Sequence, residues 1–505
     1  MNEPTTPGYA PRHDLASGTP GRHSTGQPLR ASEWLIIAVG VLCTLAFVYG
    51  LRFKPRLTER GLVALSLLAV AGLVVWQRRR LGRLSVKAVI LWLALLLPLA
   101  ALVGPSAALP HLRQLFAFRM LVALLVFLAA TWALATRGAF HSYAGRFFTL
   151  LGLWLGWLAL TTVWAPDKGA ALRYLATFAL MLILVLAVAS AGGSRTRLKV
   201  LTLILGLGYF LTVGVTLLEM FFGVRLATSS LLNAPENKQW SVTSFFYNPN
   251  NLATFLAMCW PFFFIVFFVT RRRWLWALGI AAMGLSVLAL VHTGSRSSLL
   301  TIGLETVVAL VYYARHGRGS RRAGIALGLA IIAGFAYLAL NTTATGMLGQ
   351  LRVNSLVQQT QEGQGSGATR MDLLRDGLTV GMQWGFAGVG PGNAEGLVKS
   401  GPNPVGIGNL HDWWLEVLVD GGLVAFALYV TFYLGLLVAL VRIARHTTDA
   451  LHRYLAVGTF LALVGYILGC LGPSSAISFA PMWILFGLAL ALVVRANRSA
   501  RERAQ

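Results

Sequence analysis

Apolar residues run along this chain in long blocks that are separated by short polar stretches. Fourteen such blocks occur, near residues 34–50, 61–76, 88–108, 114–135, 147–164, 174–191, 199–222, 251–270, 274–292, 297–314, 323–341, 413–440, 454–472 and 478–494. A helix needs about 20 apolar residues to cross a bilayer, and within lipid a helix satisfies its own backbone hydrogen bonds. The pattern predicts an all-α polytopic membrane protein with about 12–14 transmembrane helices.

The composition agrees with this prediction. Of the 505 residues, 56% are hydrophobic and 12% are charged, whereas soluble proteins carry about 25% charged residues. Lysine and arginine number 42 against 17 acidic residues, for a net charge of +25. Because basic residues accumulate in cytoplasmic loops, membrane topology explains this excess, and membrane lipids rather than nucleic acid are the expected surroundings.

The connections between the blocks alternate in character and predict the orientation. Short basic connections, for example 194–199 and 271–273, fall on one side, which we assign to the cytoplasm; residues 51–60 are a basic exception on the other side. The resulting division is a disordered cytoplasmic tail (1–30), a first helix bundle (31–341), a large periplasmic loop (342–412), a second bundle (413–495) and a cytoplasmic tail (496–505).

The long loop contains a predicted helix of its own. Met371, Leu374, Leu378 and Met382 recur at helical spacing, which predicts an amphipathic helix that lies on the membrane face or packs over the bundle. Loops of this length are usually functional.

Arginine residues on the side opposite the basic loops are candidates for chemistry. Arg173 follows a short connection, Arg296 stands between two apolar blocks with scarcely any loop, and Arg370 and Arg375 lie in the long loop. Each could simply extend to solvent along its apolar stem. The tight turn nevertheless predicts that Arg296 is held near the bundle, where its fixed fork of donors would match a diphosphate.

Two polar stretches on the same side have less specific patterns. Asn248 or Asn250 is expected to cap the helix of the block 251–270. Residues 388–393, GVGPGN, contain three glycines. These permit a tight turn whose backbone could approach a phosphate or sugar closely.

The stretch 409–422, NLHDWWLEVLVDGG, starts a membrane helix with ionisable residues, which are costly near hydrocarbon. Asn409 as N-cap, with Asp412 three residues on, predicts a helix that starts near Leu410. His411 would then lie in the first turn, where the positive end of the helix dipole keeps its ring neutral near pH 7. A neutral imidazole is the form that a general base requires.

The carboxylates of this stretch have two interpretations. Asp412 and Glu416 are one turn apart, as are Glu416 and Asp420. These carboxylates could pair with the outer arginines, or they could be ordinary capping and interface residues. Trp413 and Trp414 are expected at headgroup level. No histidine or cysteine pair has metal-ligand spacing, so no metal and no cofactor is predicted, and arginine would have to neutralise a bound phosphate.

These motifs together resemble the bacterial O-antigen ligases, in the superfamily of O-antigen polymerases and O-oligosaccharyltransferases. The resemblance covers about residues 150–500 and rests on Ser295-Arg296, Arg370 with its helix, the 388–393 turn, and His411 heading a helix that contains Gly421-Gly422. The family typically has His-Asn where this chain has His411-Asp412, which leaves the role of the second position open.

The resemblance implies a lipid-linked glycosyltransferase with a GT-C-like fold in the bacterial inner membrane. It would transfer O-antigen from undecaprenyl diphosphate to lipid A–core at the periplasmic face, without metal and with inversion. Arg296, Arg370 and, more weakly, Arg173 would bind the diphosphate, and His411 would accept or orient the acceptor proton. Asp412, Glu416, Asn248, Asn250 and Arg375 are possible supporting residues.

Two other functions fit parts of the sequence. An O-antigen polymerase shares fold and donor, but two outer loops of similar size would favour it, whereas here 342–412 is much longer than 223–250. A transporter would place several ionisable groups in mid-membrane and show two related halves. Glu305 is the only clear charge in the middle of a block, and no such halves are visible.

Overall fold

The computed structural model describes residues 86–109, 112–136, 144–234, 240–316, 321–340, 365–400 and 408–504. Its helices are α1 (Val86–Val103), α2 (Ala117–Thr136), α3 (Gly145–Thr161), α4 (Lys168–Ala189), α5 (Arg195–Phe222), α6 (Pro249–Phe264), α7 (Val266–Val269), α8 (Arg273–Thr293), α9 (Arg296–His316), α10 (Arg321–Leu340), α11 (Gly365–Gln383), α12 (Ala394–Lys399), α13 (Trp413–His446), α14 (Ala450–Gly469) and α15 (Ala480–Ala504). Two short antiparallel strands, β1 (Ala108–Leu109) and β2 (Leu112–Phe116), follow α1.

The prediction of an all-α polytopic membrane protein is confirmed. Within the described ranges, nine helical segments are long and apolar enough to cross a membrane: α1, α4, α5, α6 with α7, α8, α9, α13, α14 and α15. Shorter apolar stretches lie in α2, α3 and α10. The twelve apolar blocks between 88 and 494 each coincide with a helix.

Several predicted segments lie outside the described residues. They are the tail 1–30, the apolar blocks 34–50 and 61–76, and residues 342–364 and 401–407 of the long loop. The total of 12–14 spans and the assignment of the tail therefore stay predictions.

An aromatic cluster at the centre of the bundle joins α3, α13 and α15. Trp413 is fully buried and meets Trp154, Tyr429 and Trp483 at ring-centroid distances of 6.0 to 6.3 Å. Trp414 packs on Tyr429 at 4.9 Å. The side chain of Trp413 thus faces the core of the bundle, and the placement of the pair at headgroup level stays a prediction.

Helix α13 is broken after its second turn. Gly422 has φ 72° and ψ −174°, far from helical values. The backbone of residues 386–387 comes within 2.5 Å of where a Cβ at Gly422 would stand, and the N–H of Leu423 donates to the carbonyl of Phe386 at 2.9 Å. The loop between α11 and α12 is thus inserted into the break, which only a glycine permits.

Contacts between distant residues define two ends of the bundle. At one end, Asn248 bonds Ser474, and Asn393 bonds the backbone of Asp167; we call this the site end. At the opposite end, Arg195 pairs with Asp449 at 2.8 Å, so the start of α5 meets the start of α14. The candidate residues gather at the site end.

Candidate active site

His411 lies at the site end, immediately before α13. The helix begins at Trp413, and the carboxylate of Asp412 is its N-cap, accepting the N–H groups of Trp414 (2.9 Å) and Leu415 (3.3 Å). The predicted start near Leu410 was therefore wrong, and so was the placement of His411 in the first turn.

The backbone of His411 has an unusual conformation. Its φ of 50° is in the left-handed region, which is uncommon for a residue other than glycine and concentrates at functional sites. The side chain of Asn409, predicted as the helix cap, instead accepts the backbone N–H of His411 at 2.9 Å. This local turn directs the chain into the helix and fixes the position of the imidazole.

The ring of His411 is partly buried beside a positive charge. Burial lowers its pKa below the ordinary value of 6.5, and the guanidinium of Arg370 lowers it further, while the backbone carbonyls of Pro473 and Gly472 oppose the shift. The predicted neutral state is thus supported, although burial and Arg370 cause it rather than the helix dipole. Nδ1 of His411 is buried without a hydrogen-bond partner in the described part of the chain.

Arg370 is held over this ring by α11. Leu373 of that helix is fully buried, and the backbone at Gly377 lies against Leu410 and Leu415. Helix α11 therefore packs over the start of α13, the second of the two predicted arrangements. Burial lowers the pKa of the guanidinium of Arg370 below its ordinary value, although arginine keeps its charge in proteins.

The remaining face of α11 is accessible. Met371 and Met382 are 44% and 60% exposed. The side chain of Arg375 is 75% exposed and approaches Asp372 at 3.9 Å. Arg375 is thus a surface residue of the helix that positions Arg370.

Arg296 is the first residue of α9 and is partly buried. The turn before it contains the buried Ser295, whose hydroxyl hydrogen-bonds that of Ser298 at 3.1 Å. One turn further on, Thr301 lies beside Gly469 at the end of α14. Gly472, which contacts the ring of His411, follows three residues later, so Arg296 and His411 lie at the same end of the bundle.

Asparagines at the start of α6 anchor the connection between α14 and α15. Asn248 is the N-cap, accepting the N–H of Asn251 at 2.9 Å, and its amide donates to Ser474 at 2.6 Å. The side chain of Asn251 accepts the N–H of Ser474 at 3.2 Å. The capping prediction for Asn248 is confirmed, whereas Asn250 contributes its backbone carbonyl close to Gly472. Sequence reasoning missed Asn251.

The glycines of the 388–393 turn approach the protein's own backbone. A Cβ at Gly388 would lie 2.7 Å from the carbonyl carbon of Gly421, and one at Gly390 would lie 2.4 Å from the side chain of Ala165. Their φ angles are 94° and 92°. At these positions the close contact expected with a phosphate or sugar is instead a contact within the fold.

Asp420, which the sequence did not single out for a role of its own, organises this turn. It is 2% exposed, and one carboxylate oxygen accepts the N–H groups of Asn393 (3.0 Å) and Ala394 (2.8 Å). Asn393 in turn accepts the N–H of Asp167 at 2.8 Å. The i,i+4 spacing of Glu416 and Asp420 indicates that both carboxyl groups lie on one face of the helix. It does not reveal the partner of Asp420, because the turn that Asp420 binds lies 26 residues away in the chain.

A polar cavity of about 290 Å³ lies directly beside the segment that precedes His411. Its charged lining consists of Arg173, Glu395, Glu416 and Asp420. Arg173 is exposed and approaches Asp167 at 3.7 Å. Among the residues that the structure describes, neither Asp412 nor Glu416 forms an ion pair with an arginine.

The described residues contain no cluster of three or more histidine, cysteine or acidic side chains able to hold a metal ion. His292, one turn before Arg296 in the sequence, places Nδ1 2.9 Å from the backbone carbonyl of Trp240. It thus anchors the loop before α6.

Two comparisons with known proteins bear on this site. The family described as O-antigen ligase matches residues 281–430, a range that includes Arg296, Arg370 and His411. Over 356 residues, 68% of this chain and 71% of the relative, the chain is 24% identical to the teichuronic acid biosynthesis protein TuaE of Bacillus subtilis (strain 168). These two similarities support the O-antigen ligase-like family that the motifs predict.

Proposed function

We propose that this protein is an O-antigen ligase. In this proposal it transfers O-antigen polysaccharide from undecaprenyl diphosphate to a sugar hydroxyl of lipid A–core, at the periplasmic face of the bacterial inner membrane. The observation that carries the proposal is the partly buried imidazole of His411 beside the guanidinium of Arg370, at the same end of the bundle as Arg296 and inside the range of the family match. The family supports the coarser statement, a glycosyltransferase of the ligase or polymerase type that acts on lipid-linked polysaccharide.

The reaction is a single displacement. The acceptor hydroxyl oxygen attacks the anomeric carbon, the bond from that carbon to the diphosphate breaks, and its electron pair stays on the leaving diphosphate oxygen. Arg296 and Arg370 bind the diphosphate and stabilise the charge that develops on it. His411 takes the proton of the hydroxyl as its oxygen attacks. Attack from the face opposite the leaving group inverts the configuration of the anomeric carbon.

The supporting residues position this machinery. Asp412 caps α13, and Asn248 holds the connection whose carbonyls contact the ring of His411. Arginine supplies the positive charge that a divalent cation would otherwise provide, so the proposed reaction uses no metal.

Reconstitution of the purified full-length protein with lipid-linked O-antigen and lipid A–core tests the proposal. We expect ligated product, detected as a mobility shift, that persists in EDTA. His411→Ala should abolish it and Arg296→Lys should reduce it strongly, whereas Glu502→Gln, an exposed position near the chain end, should not. Full-rate ligation by both site variants would contradict the site assignment.

A second candidate function is polysaccharide polymerisation. The relative TuaE is named for teichuronic acid biosynthesis, so similarity to it does not specify lipid A–core as the acceptor. Elongation of lipid-linked chains in the same assay, with lipid A–core left unmodified, would establish the polymerase instead.

A further inference from the structure

The cavity beside His411 has a chemistry different from that expected of a diphosphate site. Its lining includes the carboxyl groups of Glu395, Glu416 and Asp420 and a single guanidinium, that of Arg173. The guanidinium of Arg173 approaches Asp167, a residue that does not line the cavity. In either protonation state, a carboxyl group offers no positive charge to a phosphate. It does, however, exchange hydrogen bonds with sugar hydroxyls.

The neutral groups of the lining add to this preference. The hydroxyl of Tyr174 lies near the carboxyl of Glu416 in the lining, and the ring of Tyr174 contributes an apolar surface. Asn409 and Ser475 supply an amide and a hydroxyl. A volume of about 290 Å³ is at the small end of the ~300–1,000 Å³ of ligand pockets, so it suits one sugar ring rather than a chain of them.

Two segments of the chain connect the cavity with the imidazole of His411. Asn409 and Leu410, which line the cavity, directly precede His411. Ser475 also lines it, two residues after Pro473, whose carbonyl contacts the ring. His411 does not itself line the cavity, but a sugar held there would lie against the two segments that carry and contact its ring.

From these observations we infer that the cavity lined by Tyr174, Glu416 and Asp420 is the binding site for an uncharged sugar ring of the acceptor. Glu416 binds its hydroxyls, and Asp420 mainly holds the turn that forms one wall. This inference rests on the proposed transfer reaction and deepens it. It also differs from the sequence prediction for Arg173, which becomes part of a sugar site rather than of the diphosphate site.

Direct binding tests the inference without requiring turnover. Methyl β-D-glucopyranoside is added to the purified full-length protein, and saturation-transfer NMR measures its contact. We expect a signal that falls at least fivefold in Glu416→Gln and in Tyr174→Phe, and that glucose 6-phosphate does not compete away. Glu502→Gln and Tyr247→Phe, both at exposed side chains, are the matched controls and should keep the full signal.

Steady-state kinetics then show whether the cavity binds a sugar of the acceptor or a sugar of the donor. With lipid-linked polysaccharide and acceptor varied in turn, Glu416→Gln should raise the KM for the acceptor at least tenfold and leave the KM for the donor within twofold. Tyr174→Phe removes one hydroxyl and should give the same pattern if Glu416→Gln fails to fold.

Three results would overturn the inference. They are unchanged sugar binding in both folded variants, equal competition by glucose 6-phosphate, or a rise confined to the donor KM, which would place the donor's sugar in the cavity. Sugar binding that depends on Glu416, in a protein that transfers no polysaccharide to any acceptor, would reject the proposed function and leave a sugar-binding cavity. The two failures are therefore distinguishable.

Discussion

At the scale of single residues, the pKa of His411 depends on neighbours that are distant in the chain. The sequence indicates a neutral histidine next to a helix start, and the structure supports that state. His411 does not lie in the first turn of the helix, where the dipole was expected to lower its pKa, because it precedes the N-cap Asp412. Burial and the neighbouring charge of Arg370 determine the pKa instead, and Arg370 is 41 residues away in the chain.

The pH dependence of transfer follows from that pKa. Neutral His411 is the active form of the base, and its pKa is lowered below 6.5. The kcat/KM should therefore stay constant as the pH falls to 6.5 and decline only at more acid pH, where the ring becomes protonated. Arg370→Gln removes the like charge, raises the pKa of His411 and should move this decline to higher pH.

Arg375→Gln is the matched control for this experiment. Arg375 lies on the same helix but is exposed and approaches Asp372, so its removal should leave the position of the acid decline unchanged. Identical profiles for Arg370→Gln and the unmodified protein would show that Arg370 does not act on the ring that titrates.

Arg296 gives a second prediction at this scale. Lysine keeps the charge but loses the forked pair of donors that fits a diphosphate, so Arg296→Lys should lower kcat by about tenfold to a thousandfold. Arg271→Lys, an exposed position between α7 and α8 at the opposite end of the bundle, should leave kcat within twofold. Equal rates for the two variants would remove Arg296 from the mechanism.

At the scale of elements, the break in α13 determines the shape of the site. Gly421 and Gly422 are visible in the sequence as a weak point in a helix. What the break contains, the backbone of residues 386–387, is not visible there. Asp420 just before the break then holds the 388–393 turn. The part of α13 before the break thus positions His411 at its start and the 388–393 turn at its end.

Gly422→Ala tests this arrangement. A Cβ would lie 2.5 Å from the carbonyl oxygen of Phe386, on a residue with φ 72°, and the backbone strain alone costs about 1–3 kcal/mol. We expect a clear drop in Tm and loss of transfer. Gly284→Ala in α8 is the control, because a Cβ there meets no atom within 4 Å, and its Tm should not fall.

At the scale of the whole molecule, long-range hydrogen bonds join the site end. Asn393 bonds the turn between α3 and α4, and the indole N–H groups of Trp157 and Trp164 donate to the carbonyls of Gly421 and Gly388 at 2.7 and 2.8 Å. These bonds tie the 388–393 turn, the break in α13 and the start of α4 into one unit around the cavity.

Asn393→Ala should loosen this unit. It removes the side-chain acceptor of the backbone N–H of Asp167, and such a hydrogen bond contributes about 0.5–1.5 kcal/mol. The Tm should fall, and the rate of proteolysis at the 388–400 segment should rise. Ser400→Ala, at the exposed end of α12, is the control; an equal effect of both variants would mean that the hydrogen bonds to Asp167 do not hold the turn.

The sequence by itself determined the helices, the membrane class and the residues worth examining. Each of these depends on local composition: apolar blocks form spans because backbone groups in lipid must bond within their own helix, and Asn248 caps because it directly precedes one. Tertiary structure decided the burial of Trp413, the role of Asp420, and the grouping of Arg173 with acidic residues. Those outcomes depend on which distant segments pack together, and no periodicity within one segment contains that information.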